Sequence, residues 1–214
     1  LRERDITRHI AREYYKEFDQ LIESDVIIVG AGPSGLICAH DLAALGFRTL
    51  LIEQSLALGG GFWSGGYLMN KATICEPANE ILEEVGVPCK KIKECEGMYM
   101  VDPPHATSAL IAAAYKAGAK IMNLTRVVDL ILRNDSSLEG VVVNSTTVEM
   151  AGHDMIHVDP IALESKIVVD ATGHDAVLVE LLHKRNLYKK VPGNGAMWVA
   201  RSEEEVMDRT GEVF

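Results

Sequence analysis

Apolar residues recur along this chain with two different spacings, and the two spacings predict an α/β fold. A period of three to four residues over 5–23 predicts an amphipathic helix. The apolar-rich runs DVIIV at 25–29 and FRTLLI at 47–52 predict buried strands, and the segment between them, 35–45, predicts a helix. Because such a crossover is right-handed, the two strands should be parallel. We therefore expect a Rossmann-like, doubly wound parallel sheet that begins at residue 25.

The remainder of the chain predicts further α/β units and a β-rich part. Residues 55–75 are rich in glycine and are expected to be irregular. Further helices are predicted at 77–85, 107–117 and 176–185, and further strands at 120–124, 126–133, 140–144 and 166–170. Residues 134–139 should turn a hairpin, and 166–170 should form a buried parallel strand. We expect one dinucleotide-binding domain over residues 1–214, with a small β-rich insertion.

The turn after the first strand has the sequence Gly30-Ala-Gly32-Pro-Ser-Gly35, a pattern that binds dinucleotide phosphates. Its first glycine permits the tight turn, the second lets a pyrophosphate approach the backbone, and the third lets helix and strand pack closely. The helix N-terminus supplies N–H groups and the positive end of a dipole. Glu53 ends the next strand, where a carboxylate accepts hydrogen bonds from ribose hydroxyls and repels a 2′-phosphate. The motif predicts a site for NAD or FAD rather than NADP.

Composition argues against several other classes of function. The net charge is −10, from 21 Lys and Arg against 31 Asp and Glu, which argues against a nucleic-acid partner. We see no apolar run long enough to cross a bilayer, and no opening typical of a secretory signal. The cysteines form no C-x-x-C pair. Cys89 and Cys95 could form a local clip, but reduced thiols and a cytoplasmic location are favoured.

Two further glycine motifs resemble those of the two-dinucleotide-binding-domain flavoproteins. Gly59-Gly60-Gly61 follows soon after Glu53, where backbone close to a cofactor must avoid a Cβ clash. Asp170-Ala-Thr-Gly173 resembles the later A-T-G motif of that superfamily, which ends a strand beside the same cofactor. A flexible loop and an ordinary strand end are the alternative interpretations. Together with Glu53, the two motifs favour the flavoprotein type of fold.

Histidine and carboxylate side chains near residues 157–174 form a candidate metal or catalytic site. His157 and Asp159, two positions apart in a strand-like segment, should point the same way. His174 follows the A-T-G motif. Imidazole and carboxylate together suit Fe(II), Zn(II) or Mn(II), and so few ligands leave positions for substrate or a neighbouring chain. From the residues alone, an ordinary surface loop is the commoner interpretation.

Longer motifs give the sequence a more specific resemblance. The runs that carry it extend over nearly the whole chain: VIIVGAGPSGL, LIEQSLALGGGFWSGGYLMNK, VVVNSTTVEMAG, HVDP, VVDATGHDA and VPGNGAMWVA. They resemble the thiamine thiazole synthase family, and in particular its archaeal-type, sulfide-dependent branch. GGGFWSGG followed by NK, together with ATGHDA, is much more specific than the glycine turn.

The resemblance implies that NAD is a substrate rather than a redox cofactor. Loss of nicotinamide would give ADP-ribose, which condenses with glycine and acquires sulfur to form an ADP-linked thiazole carboxylate, a precursor of thiamine. Eukaryotic members sacrifice the sulfur of a cysteine just before an (M/V)-D-P motif, whereas this chain has His157 there. Since histidine cannot donate sulfur, the resemblance implies exogenous sulfide and repeated turnover.

The resemblance also implies roles for individual residues. Asp159 and His174 match Fe(II) ligands contributed by adjacent subunits, and His157 is the third candidate catalytic residue. Iron would hold the reactants close together and act as a Lewis acid. The matched dinucleotide contacts are Gly30, Gly32, Ser34, Gly35, Glu53, Gln54, Gly61, Val127, His157, Val158 and Asp159. The family is octameric, so the resemblance implies a homo-oligomer with shared metal sites and with NAD, glycine and sulfide as small-molecule partners.

Other functions on the same fold stay open at this point. A flavin-dependent oxidoreductase would need a later Gly-Asp motif, and a ribose-bisphosphate isomerase would need a Lys/Arg cluster for a second phosphate; we see neither signal. A non-catalytic NAD-binding module is also open, because family members continue beyond the position of residues 212–214 into a segment that completes the pocket. We expect a thiamine thiazole synthase.

Overall fold

The computed structural model describes residues 2–134, 137–152 and 158–187. Its strands are β1 (Glu23–Val29), β2 (Thr49–Ile52), β3 (Ala72–Cys75), β4 (Lys90–Lys91), β5 (Met98–Val101), β6 (Lys120–Met122), β7 (Thr125–Arg133), β8 (Ser137–Ser145) and β9 (Ile161–Asp170). Its α-helices are α1 (Glu3–Leu21), α2 (Pro33–Ala44), α3 (Ala78–Glu84), α4 (Pro103–Ala117), α5 (Thr146–Ala151) and α6 (Val177–Lys184).

A six-stranded sheet forms the centre of the fold, in the order β6-β2-β1-β9-β8-β7. Strands β6, β2, β1 and β9 run parallel, whereas β9, β8 and β7 are paired antiparallel. In the parallel part the chain moves outward from β1 through β2 to β6 and later returns to the other side of β1 as β9. A ligand crevice is expected at this reversal, beyond the carboxyl ends of β1 and β9. The predicted Rossmann-like parallel sheet is confirmed.

Side chains that alternate along β1 and β2 build a hydrophobic core on each face of the sheet. Ile28 and Leu51 pack on one face with helices α2 and α4. Ile27 and Leu50 pack on the other face with the β7–β8 hairpin and α6. All four side chains are fully buried, and each contributes about 1.5–3 kcal/mol by leaving water. Burial on both faces explains why Val26–Val29 and Leu50–Ile52 are continuous apolar runs in the sequence.

A second sheet, with the antiparallel order β3-β5-β4, lies between β2 and α4 in the sequence, where no strand was predicted. The segment 55–75 is therefore not irregular throughout, because Ala72–Cys75 pairs with Met98–Val101. The two strands are far apart in the sequence, and β3 has only four residues. Such a short strand gives too weak an alternation to be recognised without its partner.

Strand β9 is longer and more exposed than the buried strand expected at 166–170. It begins antiparallel to β8, with Ile161 opposite Val143, and from Glu164 onward it runs parallel to β1. Ile167 is 57% exposed. The expectation of a buried strand at 166–170 is wrong, because Lys166 and Ile167 are exposed and Val168 and Val169 are only partly buried against the two cores. The buried core residue of β9 is Leu163, in its antiparallel part. The parallel pairing with β1 is confirmed.

The helices occur close to their expected bounds, with two differences. Helix α4 begins at Pro103 rather than at residue 107, because a proline suits the first helical position, where the N–H has no partner. Helix α5 was not expected, because six residues are too few to display a helical period. Helices α1 and α6 agree with the predictions for 5–23 and 176–185 within a few residues.

Most of the apolar stripe of α1 lies on the surface. Ile10 is 66% exposed and Tyr14 is 57% exposed, while Leu21 is buried. Tyr14 stacks on Phe18 with a ring-centroid distance of 5.9 Å, and both line a cavity of about 210 Å³ that extends to Met122 on strand β6. Within the described part of the chain, no helix is both long enough and apolar enough to cross a membrane.

Charged side chains join three strands at the amino end of the parallel sheet. The carboxylate of Asp25 on β1 accepts hydrogen bonds from the Arg48 N–H at 2.9 Å and from the Lys166 ammonium of β9 at 2.9 Å. The Arg48 guanidinium adds a contact at 3.3 Å. The Lys166 ammonium and the Arg48 N–H and guanidinium hold the pKa of Asp25 well below its ordinary value. The charged form of Asp25 therefore stabilises the native state.

We expect Asp25→Asn to lower the melting temperature at neutral pH. A carboxyl whose pKa is lowered by folding stabilises the protein above its unfolded pKa, which is about 3.9, and loses that effect as the pH falls below it. The difference in melting temperature between the wild type and Asp25→Asn should therefore shrink below about pH 4. Thermal unfolding between pH 3 and pH 8 measures it, with Asp19→Asn on the exposed side of α1 as control. A difference that does not change with pH would contradict the assignment.

Candidate functional site

The turns that follow β1 and β9 touch each other at the reversal of the sheet. A Cβ on Gly30 would overlap the carbonyl oxygen of Ala171, and Gly30 has φ +101°, a value that favours glycine. A Cβ on Gly35 would overlap the carbonyl oxygen of Gly30. The roles predicted for these two glycines, a tight turn and close helix–strand packing, agree with this geometry. The glycine turn and the A-T-G motif thus form one wall of the expected crevice.

Two other glycines of the predicted site face open space. No atom lies within 4 Å of a Cβ built on Gly32 or Gly61. The loop that carries Gly61 is held against the glycine turn, since the Gly59 N–H donates to the carbonyl of Ala31 at 2.6 Å. Helix α2 begins directly after Gly32, so the first-turn N–H groups, including that of exposed Ser34, have no partner within the helix. The glycines and free N–H groups together provide a cradle for an anion such as a pyrophosphate.

The carboxylate of Glu53 connects this cradle to the end of β2. One oxygen accepts a hydrogen bond from the Ala31 N–H at 2.8 Å, and the other accepts one from the Ser55 N–H at 2.7 Å. The residue is only 8% exposed. Each carboxylate oxygen has a second lone pair, which a ribose hydroxyl can use. Glu53 therefore fixes the glycine turn as well as marking the expected ribose position.

The loop after Glu53 is fixed by the start of the β7–β8 hairpin and by α5. The Thr125 N–H donates to the carbonyl of Glu53 at 2.9 Å, and the Thr146 hydroxyl donates to the carbonyl of Gln54 at 2.7 Å. The exposed Arg126 side chain donates through Nε to Gln54 Oε1 at 3.3 Å. Val127, the next residue, is buried in the core between hairpin and sheet. Arg126 was not predicted as a site residue, because a single arginine in a strand gives no signal without its neighbours.

Asp170 forms the support for the turn that carries His174, a role that the sequence did not indicate. One of its oxygens accepts hydrogen bonds from the N–H and the hydroxyl of Thr172, at 3.0 and 2.6 Å. The other accepts the N–H groups of Leu178 and Val179, at 2.9 and 3.2 Å. A carboxylate in this position satisfies unpaired N–H groups and the dipole of α6. His174 lies in the intervening turn, Gly173–Asp175, and is exposed.

The predicted metal ligands lie beyond the two ends of strand β9. His174 follows its last residue, whereas Asp159 is exposed and lies two residues before its first. Residues 158–160 are not part of a sheet, since β9 begins only after Pro160, which has no N–H for a strand ladder. The predicted common direction of the His157 and Asp159 side chains stays a prediction. The Val158 carbonyl accepts from Asn144 Nδ2 at 3.4 Å. His157 lies outside the described residues, so its predicted catalytic role and backbone contact stay predictions.

No complete metal site is formed within the described part of the chain. No group of three or more His, Cys, Asp or Glu side chains there is arranged to hold a metal ion. Asp159 and His174 are nevertheless both exposed, and a carboxylate with an imidazole is a donor set that fits Fe(II). A metal held by these residues would need further ligands from outside this set.

Comparison with known proteins identifies close relatives over the full length of the chain. Residues 7–214 match the Thi4 family. A thiamine thiazole synthase of Pyrococcus horikoshii is 41% identical over 100% of this chain and 82% of its own length. The crystal structure of THI4 from Thermovibrio ammonificans superimposes with a TM-score of 0.82 at 37% identity, over 88% of this chain and 71% of that one.

More distant solved structures share only the fold. A flavin-dependent brominase matches with a TM-score of 0.53 at 17% identity, over 77% of this chain and 41% of that one. This likeness agrees with the flavoprotein type of sheet expected from the glycine motifs. At such low identity it carries no information on the ligand.

Two glycine substitutions in the same turn should have opposite effects. Gly32→Ala should leave the melting temperature nearly unchanged but weaken NAD binding at least tenfold, because its methyl group enters the space open to the pyrophosphate. Gly35→Ala should destabilise the fold itself, since its Cβ overlaps backbone. Thermal unfolding and calorimetric titration with NAD separate the two effects. Unchanged NAD affinity in Gly32→Ala would show that the cradle does not hold the phosphates.

Proposed function

This chain belongs to the Thi4 family and is an enzyme of thiamine biosynthesis, and we propose that it makes an ADP-linked thiazole carboxylate from NAD, glycine and sulfide. The observation that carries the proposal is the open cradle at the reversal of the sheet, formed by Gly32, Gly61 and the first turn of α2. It lies next to the turn of His174, so a dinucleotide bound there extends towards a candidate ligand. The contact between the two turns therefore supports a reaction centre next to the dinucleotide.

The protein's own groups suit the adenosine and pyrophosphate parts of NAD. The N–H groups at the start of α2 donate to the phosphates, and the glycines give them access to backbone. The remaining lone pairs of Glu53 accept from the adenosine ribose hydroxyls, while its negative charge repels a 2′-phosphate. Backbone near Val127 and Val158 completes the contacts that the resemblance assigns. NAD is accordingly the proposed dinucleotide substrate rather than NADP.

The cysteines of this chain are poor sulfur donors, which supports sulfide as the sulfur source. Cys75 ends strand β3, and Cys95 lies between β4 and β5; both are exposed. In the sequence, neither is near the turns that form the crevice. Burial raises the pKa of the thiols of Cys38 and Cys89, which disfavours the reactive thiolate. The position at which eukaryotic relatives sacrifice a cysteine is His157 in this chain. All four thiols are free, in agreement with the proposed cytoplasmic location.

Asp159 and His174 are the proposed Fe(II) ligands. When bound, Fe(II) supplies Lewis-acid activation and brings the glycine-derived and sulfur reactants together. His174 is oriented by the turn that Asp170 and Thr172 fix, so its imidazole is presented from a rigid support. Asp159 lies before the opposite end of β9.

The placement of these proposed ligands supports assembly into a homo-oligomer. The parallel-paired residues of β9, from Glu164 to Asp170, extend over about 20 Å, since a strand advances about 3.3 Å per residue. Asp159 lies five residues further back along the chain. We therefore propose that each metal is held by Asp159 of one subunit and His174 of another. The exposed apolar stripe of α1 offers additional surface for assembly, and the resemblance points to an octamer.

The anaerobic reaction tests the proposed activity directly. Full-length protein with NAD, glycine, sulfide and Fe(II) should yield more than one equivalent of the ADP-thiazole per chain, measured by mass spectrometry. Asp159→Ala should reduce the yield at least 100-fold, because a lost ligand removes the metal. Asp175→Ala, next to His174, is the control for a changed surface charge and should remain active.

Two other outcomes would contradict the proposed activity. Absence of thiazole together with flavin released on denaturation would indicate a flavin-dependent oxidoreductase. Product limited to one equivalent, with mass loss from a cysteine, would mean that the chain consumes its own sulfur.

Mixed oligomers test whether the metal ligands come from two subunits. Asp159→Ala and His174→Ala subunits should each be inactive alone. Co-assembled in equal amounts, they should recover about a quarter of wild-type activity, because in that share of interfaces both intact ligands meet. Activity and bound iron per chain measure the recovery. If both ligands of a site belong to one chain, every site lacks one ligand and no activity is recovered.

A further inference from the structure

Arg126 is an exposed cation beside the position expected for the adenosine ribose. Its Nε donates to Gln54 Oε1 at 3.3 Å, and Gln54 directly follows Glu53. Among the residues that the structure describes, no carboxylate lies within ion-pair distance of the Arg126 guanidinium. An arginine without an acidic partner, next to a nucleotide site, is a candidate for phosphate recognition.

We propose that Arg126 and Gln54 determine how strictly this enzyme distinguishes NAD from NADP. The proposal rests on the proposed dinucleotide site. In the wild type, the Gln54 carboxamide engages Arg126 while Glu53 repels a 2′-phosphate. Without Gln54, the guanidinium is free to bind a 2′-phosphate, and the discrimination weakens.

The backbone around this pair is fixed, so its position relative to the ribose site is defined. The Thr125 N–H is bonded to the Glu53 carbonyl, and the Thr146 hydroxyl is bonded to the Gln54 carbonyl. Arg126 directly follows Thr125, so it lies next to a backbone hydrogen bond to Glu53. With the proposed placement of the ribose at Glu53, a long, exposed side chain at this point extends towards the 2′ position.

The charges near the ribose oppose each other, which is why the neutral Gln54 side chain matters. Glu53 is buried and held by the N–H groups of Ala31 and Ser55, so its carboxylate cannot turn away from the site. Arg126 is exposed and held by one hydrogen bond to a neutral amide. A 2′-phosphate would be repelled by the fixed anion and attracted by the cation. The Gln54–Arg126 bond shifts this balance towards NAD by occupying the cation.

Calorimetric titration of the full chain with NAD and with NADP tests the proposal. Gln54→Ala should tighten NADP binding about tenfold relative to NAD, the gain expected from a charge-assisted hydrogen bond to phosphate. Adding Arg126→Ala to Gln54→Ala should abolish that gain. Arg133→Ala, at the far end of strand β7 and paired with Glu139, is the matched control and should change neither affinity.

Two results would overturn the inference, and they differ from a failure of the proposed function. An NADP-to-NAD affinity ratio that is unchanged in Gln54→Ala would mean that Arg126 does not reach the 2′ position. A gain that survives Arg126→Ala would assign the effect to another group. If the wild type binds neither NAD nor ADP-ribose, the dinucleotide site itself is wrong.

Discussion

The backbone contact between the turn after β1 and the turn after β9 is the constraint on which the site depends. Gly30 lies against the Ala171 carbonyl, and Gly35 lies against the Gly30 carbonyl, so neither position has room for a side chain. This contact brings together two segments that are far apart in the sequence. It also places the His174 turn beside the cradle, since that turn begins two residues after Ala171. The proposed dinucleotide cradle and the proposed metal ligand His174 are thus neighbours because two backbone turns touch.

Two carboxylates hold this contact from either side. Glu53 fixes the glycine turn through Ala31, and Asp170 fixes the A-T-G turn through Thr172 while capping α6. Each oxygen accepts at least one N–H group, an arrangement that stabilises a carboxylate more than a neutral acceptor. The strand ends that form the proposed ligand site are therefore held by these two carboxylates in addition to hydrophobic packing.

The sequence predicted the parts of the fold that have local signatures. Strands β1 and β2 contain continuous apolar runs, and the glycine turn has a fixed spacing, so both could be recognised without neighbours. Asp170 and Arg126 were missed as functional residues because their roles depend on groups that pair only after folding. The pairing of β3 with β5 was missed for the same reason, since a short strand shows its character only against its partner. These roles and this strand pairing are therefore determined by tertiary contacts, which the periodicity of the sequence does not reveal.

Strand β9 explains why catalysis and assembly should be coupled in this protein. It joins the hairpin at its start and the parallel sheet at its end, so the residues that precede and follow it belong to different parts of the surface. A rigid, doubly paired strand cannot bend to bring Asp159 to His174 without breaking its ladders to β8 and β1. A second subunit can supply the other ligand while both ladders of β9 stay intact. Under the proposed assignment of Asp159 and His174, the metal site would be complete only in an oligomer, and an isolated subunit would bind the dinucleotide yet remain inactive.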